Sequence, residues 1–295
     1  MKYIITAGCS FTELNKKVNG HDSWAYHLKD IINEEPDNKG KFEFSNLGLS
    51  GTGNYIISLN CISKVETLLE KNIDPNNIIV FLQWTGLFRP AVYNENHSDR
   101  IVPFNEIKDN FKLKEVFQKY PYGFNDTAAR TTHPFWVNYY ENYYTTPAAF
   151  IDNLNSILRT QWYLKSKNIQ YKMFNAWDIF TTYDGSSGRF VSDKMLRPNQ
   201  FSSNEYSNKH NTLLADMYPI SKVLWDMLDF DHYWFFHNEN VKYGGMIQWI
   251  QNNIPFEDWY KEFPTDVHPS NTSGRYFAEV VITPLLIEIL KNNKL

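Results

Sequence analysis

Two short segments at opposite ends of the chain carry the residues best suited to chemistry. Near the N-terminus, Tyr3-Ile4-Ile5-Thr6-Ala7-Gly8-Cys9-Ser10-Phe11-Thr12 is an apolar run ending in Gly-x-Ser, which offers a hydroxyl at a strand-to-helix turn. Near the C-terminus, Pro264-Thr265-Asp266-Val267-His268-Pro269-Ser270 offers an imidazole and a carboxylate to orient it. A hydroxyl, a base and an orienting acid are the parts that serine acyl transfer needs. Each segment also has a plainer reading: Gly-x-Ser is common before helices, and Asp266 and His268 precede the last helix, where capping residues belong.

The elements between them must bring the two ends together. Residues 2–7 form a continuous apolar run, the pattern of a strand buried on both faces. A helix capped by Asp22 or Ser23 follows to about Asn33, with Trp24, His27, Leu28 and Ile31 on one stripe. Phe42, Phe44 and Leu47 mark a second strand, closed by the turn Gly48-Leu49-Ser50-Gly51-Thr52-Gly53. Helical spacing resumes over 54–71, where Ile57, Cys61, Val65, Leu68 and Leu69 face inward, and Ile78-Ile79-Val80-Phe81-Leu82 is a third buried strand. Strand and helix thus alternate, and a parallel sheet with right-handed crossovers follows. The alternation stops at Gly86 and returns at Pro147, which opens a helix to about Lys167 with Phe150, Leu154, Ile157, Leu158 and Leu164 inward. Strand 170–174, a polar stretch over 181–211, helical segments at about 214–229 and 244–252, and a last helix from Thr272 or Ser273 to Leu290 complete the chain. One domain over 1–295 with inserts at about 86–146 and 181–260 is the most economical organisation.

Composition narrows the class. A net charge of −4 with no dense basic run argues against nucleic-acid and membrane-surface partners. Cys9 and Cys61 alone cannot form a disulfide framework and fit a reducing compartment. No apolar run approaches the roughly 18 residues of a membrane span, and no small-residue cleavage site follows the start, so a cytoplasmic location is expected. His232 and His237, among Tyr233, Trp234, Phe235 and Phe236, match neither a helical pair nor a zinc spacing, and no metal is expected. The 17% aromatic content, with a cluster over 135–144, suits packing of an insert and also stacking on sugar rings.

Four separated segments resemble, in order, the conserved blocks of the SGNH (GDSL-type) hydrolases. Gly8-Cys9-Ser10-Phe11-Thr12 looks like the Gly-Asp-Ser block with Cys in place of Asp. Asn46-Leu47-Gly48-Leu49-Ser50-Gly51 is similar to the second block, Gln83-Trp84-Thr85 stands where the family has Gly-x-Asn, and Asp266-Val267-His268-Pro269 resembles the terminal Asp-x-x-His-Pro block. The resemblance implies a three-layer α/β/α sandwich around a parallel sheet of about five strands. It implies a serine esterase working without a cofactor, with Ser10 as nucleophile, His268 as base and Asp266 as orienting acid. The oxyanion hole would use the N–H groups of Ser10 and Gly51 and the hydroxyl of Thr85. Trp84 and Arg89 would line the substrate site, and the substrate would be a small-molecule or glycan ester, with carbohydrate deacetylation as the family's habit. Two departures stand out: Thr85 replaces an Asn amide, and Asp266 lies two residues before His268 rather than three. They keep open a Ser-His dyad, a transferase in place of a hydrolase, and a decayed site left as a carbohydrate-binding or structural protein.

Overall fold

Five parallel strands account for the apolar runs, and their order fixes where a site can form. In the computed structural model, residues 1–13, 23–50, 52–87, 145–182, 212–239, 241–262 and 266–292 are described. The main sheet holds β1 (Lys2–Ala7), β2 (Phe42–Asn46), β3 (Ile78–Trp84), β4 (Gln170–Asn175) and β7 (Tyr233–Trp234), in the order β2-β1-β3-β4-β7. Every pairing is parallel: Ile4 lies opposite both Phe44 and Ile79, Trp84 opposite Asn175, and Met173 opposite Tyr233. The chain steps from β1 to β2 on one side and then crosses to β3 on the other. At such a reversal the flanking helices diverge, and a crevice opens beyond the carboxyl ends of β1 and β3.

Helices cover both faces. On one face α2 (Asn54–Glu70) and α3 (Thr146–Ser166) pack Ile57, Cys61, Val65, Phe150, Leu154 and Ile157 against Ile5, Val80 and Leu82. On the other, α1 (Trp24–Glu34), α6 (Met246–Asn253) and α7 (Asn271–Phe277) pack Trp24, Leu28, Ile250 and Phe277 against Ile4, Phe81 and Phe174. Burying each large side chain contributes about 1.5–3 kcal/mol, so these facing layers supply the main drive for folding. Cys61 is one such packed group, and burial pushes its thiol up to about 12, which leaves it unreactive. The architecture is the three-layer α/β/α sandwich.

Several elements differ in detail from the periodicity. β3 runs on through Gln83 and Trp84. The helical segment expected over 214–229 is two pieces, α4 (Leu214–Met217) and α5 (Pro219–Trp225). Pro219 forces its predecessor Tyr218 into an extended conformation (φ −133°, ψ 113°), which separates them. Of the stretch 181–260 read as an insert, β5 (Thr181–Thr182) pairs with β6 (Thr212–Leu213), and β7 is the fifth strand of the main sheet. The region 88–144, with the aromatic run 135–144, lies outside the described residues. The last helix contains a π turn at Ala278–Ile282 before α8 (Thr283–Asn292). The extra residue in that turn rotates the apolar stripe, so Val281, Ile282, Leu286 and Ile289 are buried while Val280 is exposed.

Beyond β4, Asp178 organises the return of the chain. Its Oδ1 accepts from the N–H groups of Phe180 (2.8 Å) and Thr181 (3.2 Å), and its Oδ2 from the Thr181 hydroxyl (2.6 Å). Burial raises its carboxyl to about 6 from an ordinary 3.8, although those three donors pull it down. Below pH 6 the folded chain therefore holds a proton that the unfolded chain releases near 4. Stability should fall by about 2–3 kcal/mol as pH rises through that window. Urea midpoints from pH 4 to 7.5 should show this fall in the wild type and lose it in Asp178→Asn, which keeps an acceptor for both N–H groups. Parallel profiles for the two proteins would refute the assignment.

Candidate active site

The turn after β1 places Ser10 in the crevice, and Thr12 holds that turn. The N–H groups of Thr12 (2.9 Å) and Glu13 (3.2 Å) both donate to the Cys9 carbonyl, closing a tight loop around Ser10 and Phe11. The Thr12 hydroxyl donates to Gln83 Oε1 (2.9 Å) and accepts from Trp24 Nε1 (3.1 Å). The Thr12 carbonyl accepts from the Ser23 hydroxyl (2.9 Å) and Asn46 Nδ2 (2.6 Å). One residue thus ties the turn to β3, to the start of α1 and to the end of β2. Gly8 is required by close approach: a Cβ there would stand 2.2 Å from Thr12 Oγ1 and 3.0 Å from Gln83 Cβ. Cys9 is fully buried, with its thiol 3.8 Å from Gln83 Oε1.

The loop after β2 rests on this turn, with Leu49 N–H donating to the Gly8 carbonyl (3.1 Å). Gly51 itself lies outside the described residues, but its neighbours are held. Ser50 N–H donates to Glu13 Oε2 (3.1 Å) and Thr52 N–H to the Leu49 carbonyl (3.3 Å).

At the end of β3, Thr85 is held by an amide that takes the place of a neighbouring strand. Thr85 N–H donates to Asn54 Oδ1 (2.7 Å), and Asn54 Nδ2 donates to the Thr85 carbonyl (2.8 Å) and to Asn153 Oδ1. Asn153 in turn donates to the carbonyls of Leu87 (3.2 Å) and Ala149 (2.7 Å). Two helix side chains therefore guide residues 85–87 out of the sheet. The Thr85 hydroxyl is buried and has no hydrogen-bond partner among the described residues. Trp84 Nε1 and Asn175 Nδ2 are likewise buried without a hydrogen-bond partner among the described residues. Trp84 does not face the crevice: it is 0% exposed within the core over α2 and α3, opposite its expected part in substrate binding. Arg89 lies outside the described residues.

The other chain end arrives on a hairpin. β8 (Tyr260–Glu262) and β9 (Asp266–Pro269) pair antiparallel, with Tyr260 opposite Pro269 and Glu262 opposite Asp266. Tyr260 is buried, and its hydroxyl accepts from Gln251 Nε2 of α6 (3.0 Å). Ser270 caps α7 by accepting from Ser273 N–H (3.0 Å) and donates to the Asp258 carbonyl (2.5 Å). So anchored, the hairpin sets the His268 imidazole edge-on against Phe11, with ring centroids 5.5 Å apart. Phe11 directly follows Ser10, and Ser10 is 7% exposed, so the two chain ends meet in the crevice at the sheet's reversal point. Asp266 is placed by its main chain in β9, and its side chain lies outside the described part. His232 belongs elsewhere: it stacks on Tyr171 (4.5 Å) with Nδ1 2.8 Å from Asp229 Oδ2, at the amino ends of β4 and β7.

Gln83, Asn54 and Trp177 carry weight here that spacing did not reveal. Trp177 is half-buried and stands edge-on to Phe11, centroids 5.7 Å apart. Their roles depend on long-range pairing, and only the position of Gln83 at the start of the third block hinted at one.

No family model matches the chain, and no curated protein matches it. Among solved structures it is similar to a GDSL-like lipase from Parabacteroides merdae (12% identity, 94% of this chain and 92% of that one, TM-score 0.39). It is also similar to the acetyl xylan esterase AlAXEase (13% identity, 96% and 98%, TM-score 0.40) and to a variant of an acetyl xylan esterase from Geobacillus stearothermophilus (11% identity, 98% and 94%, TM-score 0.39). At this distance the chemistry has to be argued from the chain's own residues.

Thr12→Val tests the clamp on the turn. It strips Trp24 Nε1 of its acceptor and Gln83 Oε1 of its main donor, and should cost about 2–4 kcal/mol in urea unfolding. Thr12→Ser should recover most of that. A loss under about 0.5 kcal/mol for Thr12→Val would show that Thr12 does not hold the turn.

Proposed function

We propose that the chain is a serine esterase that hydrolyses small esters through an acyl-enzyme. The observation that carries this is the edge contact of the His268 ring with Phe11, the residue after Ser10, which supports a pairing of the base at one chain end with the hydroxyl at the other. Ser10 Oγ attacks the ester carbonyl as its proton passes to His268, and the tetrahedral oxyanion collapses with loss of the alcohol, which takes that proton. Water then attacks the acyl-enzyme, giving a proton to His268. Collapse releases the carboxylic acid and returns the proton to Ser10, so nothing beyond water is consumed.

Asp266 orients the imidazole in this reading, and the oxyanion is held by the N–H groups of Ser10 and Gly51 and by Thr85. The unpartnered Thr85 hydroxyl supports the last assignment, because its backbone is fixed by Asn54 while its O–H is left to donate. A Thr hydroxyl reaches less far than an Asn amide, so its contribution should be the smaller for that. Carbohydrate esters suit the aromatic surroundings of the crevice.

A fluorophosphonate probe should label Ser10 in the wild type and leave Ser10→Ala unlabelled, with p-nitrophenyl acetate turnover lost in step. Silence from the wild type in both assays would sink the esterase reading and favour a binding protein. Thr85→Val should lower kcat about tenfold or more, below the 10²–10³ lost with a full oxyanion donor. Unchanged kcat would remove Thr85 from the hole. His268→Ala should abolish turnover, and Asp266→Asn should lower it by orders of magnitude. Full activity in Asp266→Asn alone would convert the triad to a dyad.

A further inference from the structure

Phe11 follows Ser10, and Gly86 follows Thr85, so in the acyl-transfer reading these two residues stand next in the chain to the nucleophile and to one oxyanion donor. One side chain reaches both. The Trp177 ring stands 5.7 Å from the Phe11 ring at 68°. A Cβ on Gly86 would come within 2.9 Å of Trp177 Cζ2, 3.6 Å of Cε2 and 3.7 Å of Nε1, so the indole lies flush on the Gly86 backbone. Trp177 is half-buried and packs against the core on both faces of the sheet, which puts it at the carboxyl edge rather than under either layer.

The backbone carrying the indole is fixed on both sides. Ala176 N–H donates to the Trp84 carbonyl (2.7 Å), Ile247 N–H to the Ala176 carbonyl (3.0 Å), and Asp178 N–H to Gln248 Oε1 (3.0 Å). An aromatic plate on so fixed a support cannot swing aside cheaply, and a rigid wall discriminates by size.

We propose that Trp177 sets the length of the acyl group this site accepts. Resting on the acyl-transfer reading, the inference is that the indole and the Phe11 ring close the crevice to an acetyl-sized group and turn away longer chains. Trp177 is a specificity-determining residue in this scheme and takes no part in proton transfer.

The test compares kcat/KM for p-nitrophenyl acetate and p-nitrophenyl hexanoate in the wild type, Trp177→Ala and Trp177→Phe, with diethyl fluorophosphate labelling of Ser10 in each. The wild type should favour acetate. The ratio should move toward hexanoate by about 10–100-fold in Trp177→Ala, the scale on which apolar pockets sort substrates by methylene groups, and by less in Trp177→Phe. Should Trp177→Ala fail to fold, Trp177→Phe decides by the same direction of change. Ser10 labelled throughout with an unmoved ratio would overturn the inference while leaving the esterase reading standing. Ser10 unlabelled in the wild type would overturn both.

Discussion

The hydrogen bond from the Thr12 hydroxyl to Gln83 is the constraint on which the crevice depends. It joins the turn after β1 to the last residues of β3, across the gap where the strand order reverses. Because the same hydroxyl accepts from Trp24, it cannot rotate away without leaving a buried indole N–H unpaired. Gly8 belongs to this arrangement, since any side chain there would occupy the position of the Thr12 oxygen. Ser10 thereby sits in a turn fixed at both ends, as the proposed nucleophile role requires.

The end of β3 is fixed in a complementary way. β1 stops at Ala7, and its ladder would leave the Thr85 N–H and carbonyl without partners. Asn54 supplies both from the start of α2, and Asn153 extends the support to Leu87. Residues 85–87 are thus held by buried amides, while the Thr85 hydroxyl has no hydrogen-bond partner among the described residues.

The hairpin β8–β9 contributes differently. It is a small antiparallel unit outside the main sheet, secured by Tyr260 and Ser270 to α6 and α7. His268 rides on this unit, so its position depends on the packing of the C-terminal layer more than on its own loop. Phe11 meets both His268 and Trp177 edge-on, which joins the hairpin to the turn after β1 and to the chain beyond β4 through aromatic contact.

The sequence by itself determined the layered architecture, because strands buried on both faces and helices with one apolar stripe announce themselves by period. It also singled out Ser10 and His268 as candidates, through Gly-x-Ser after a strand and Asp-x-His before the final helix, and the structure brings the His268 ring against Phe11, the neighbour of Ser10. Only tertiary structure decided the rest. Trp84, inside the third block, reads as a substrate-site residue, yet pleat alternation turns it into the core. The π turn shifts the last helix by a residue, which no apolar count reveals. Tyr233-Trp234 is too short to declare itself a strand until β4 pairs with it. Gln83, Asn54 and Trp177 acquire their parts from distant partners, as in the contact of Gln83 with Met246, 163 residues away. Local patterns encode which face a residue prefers; which distant residue meets it there is set by how the layers close.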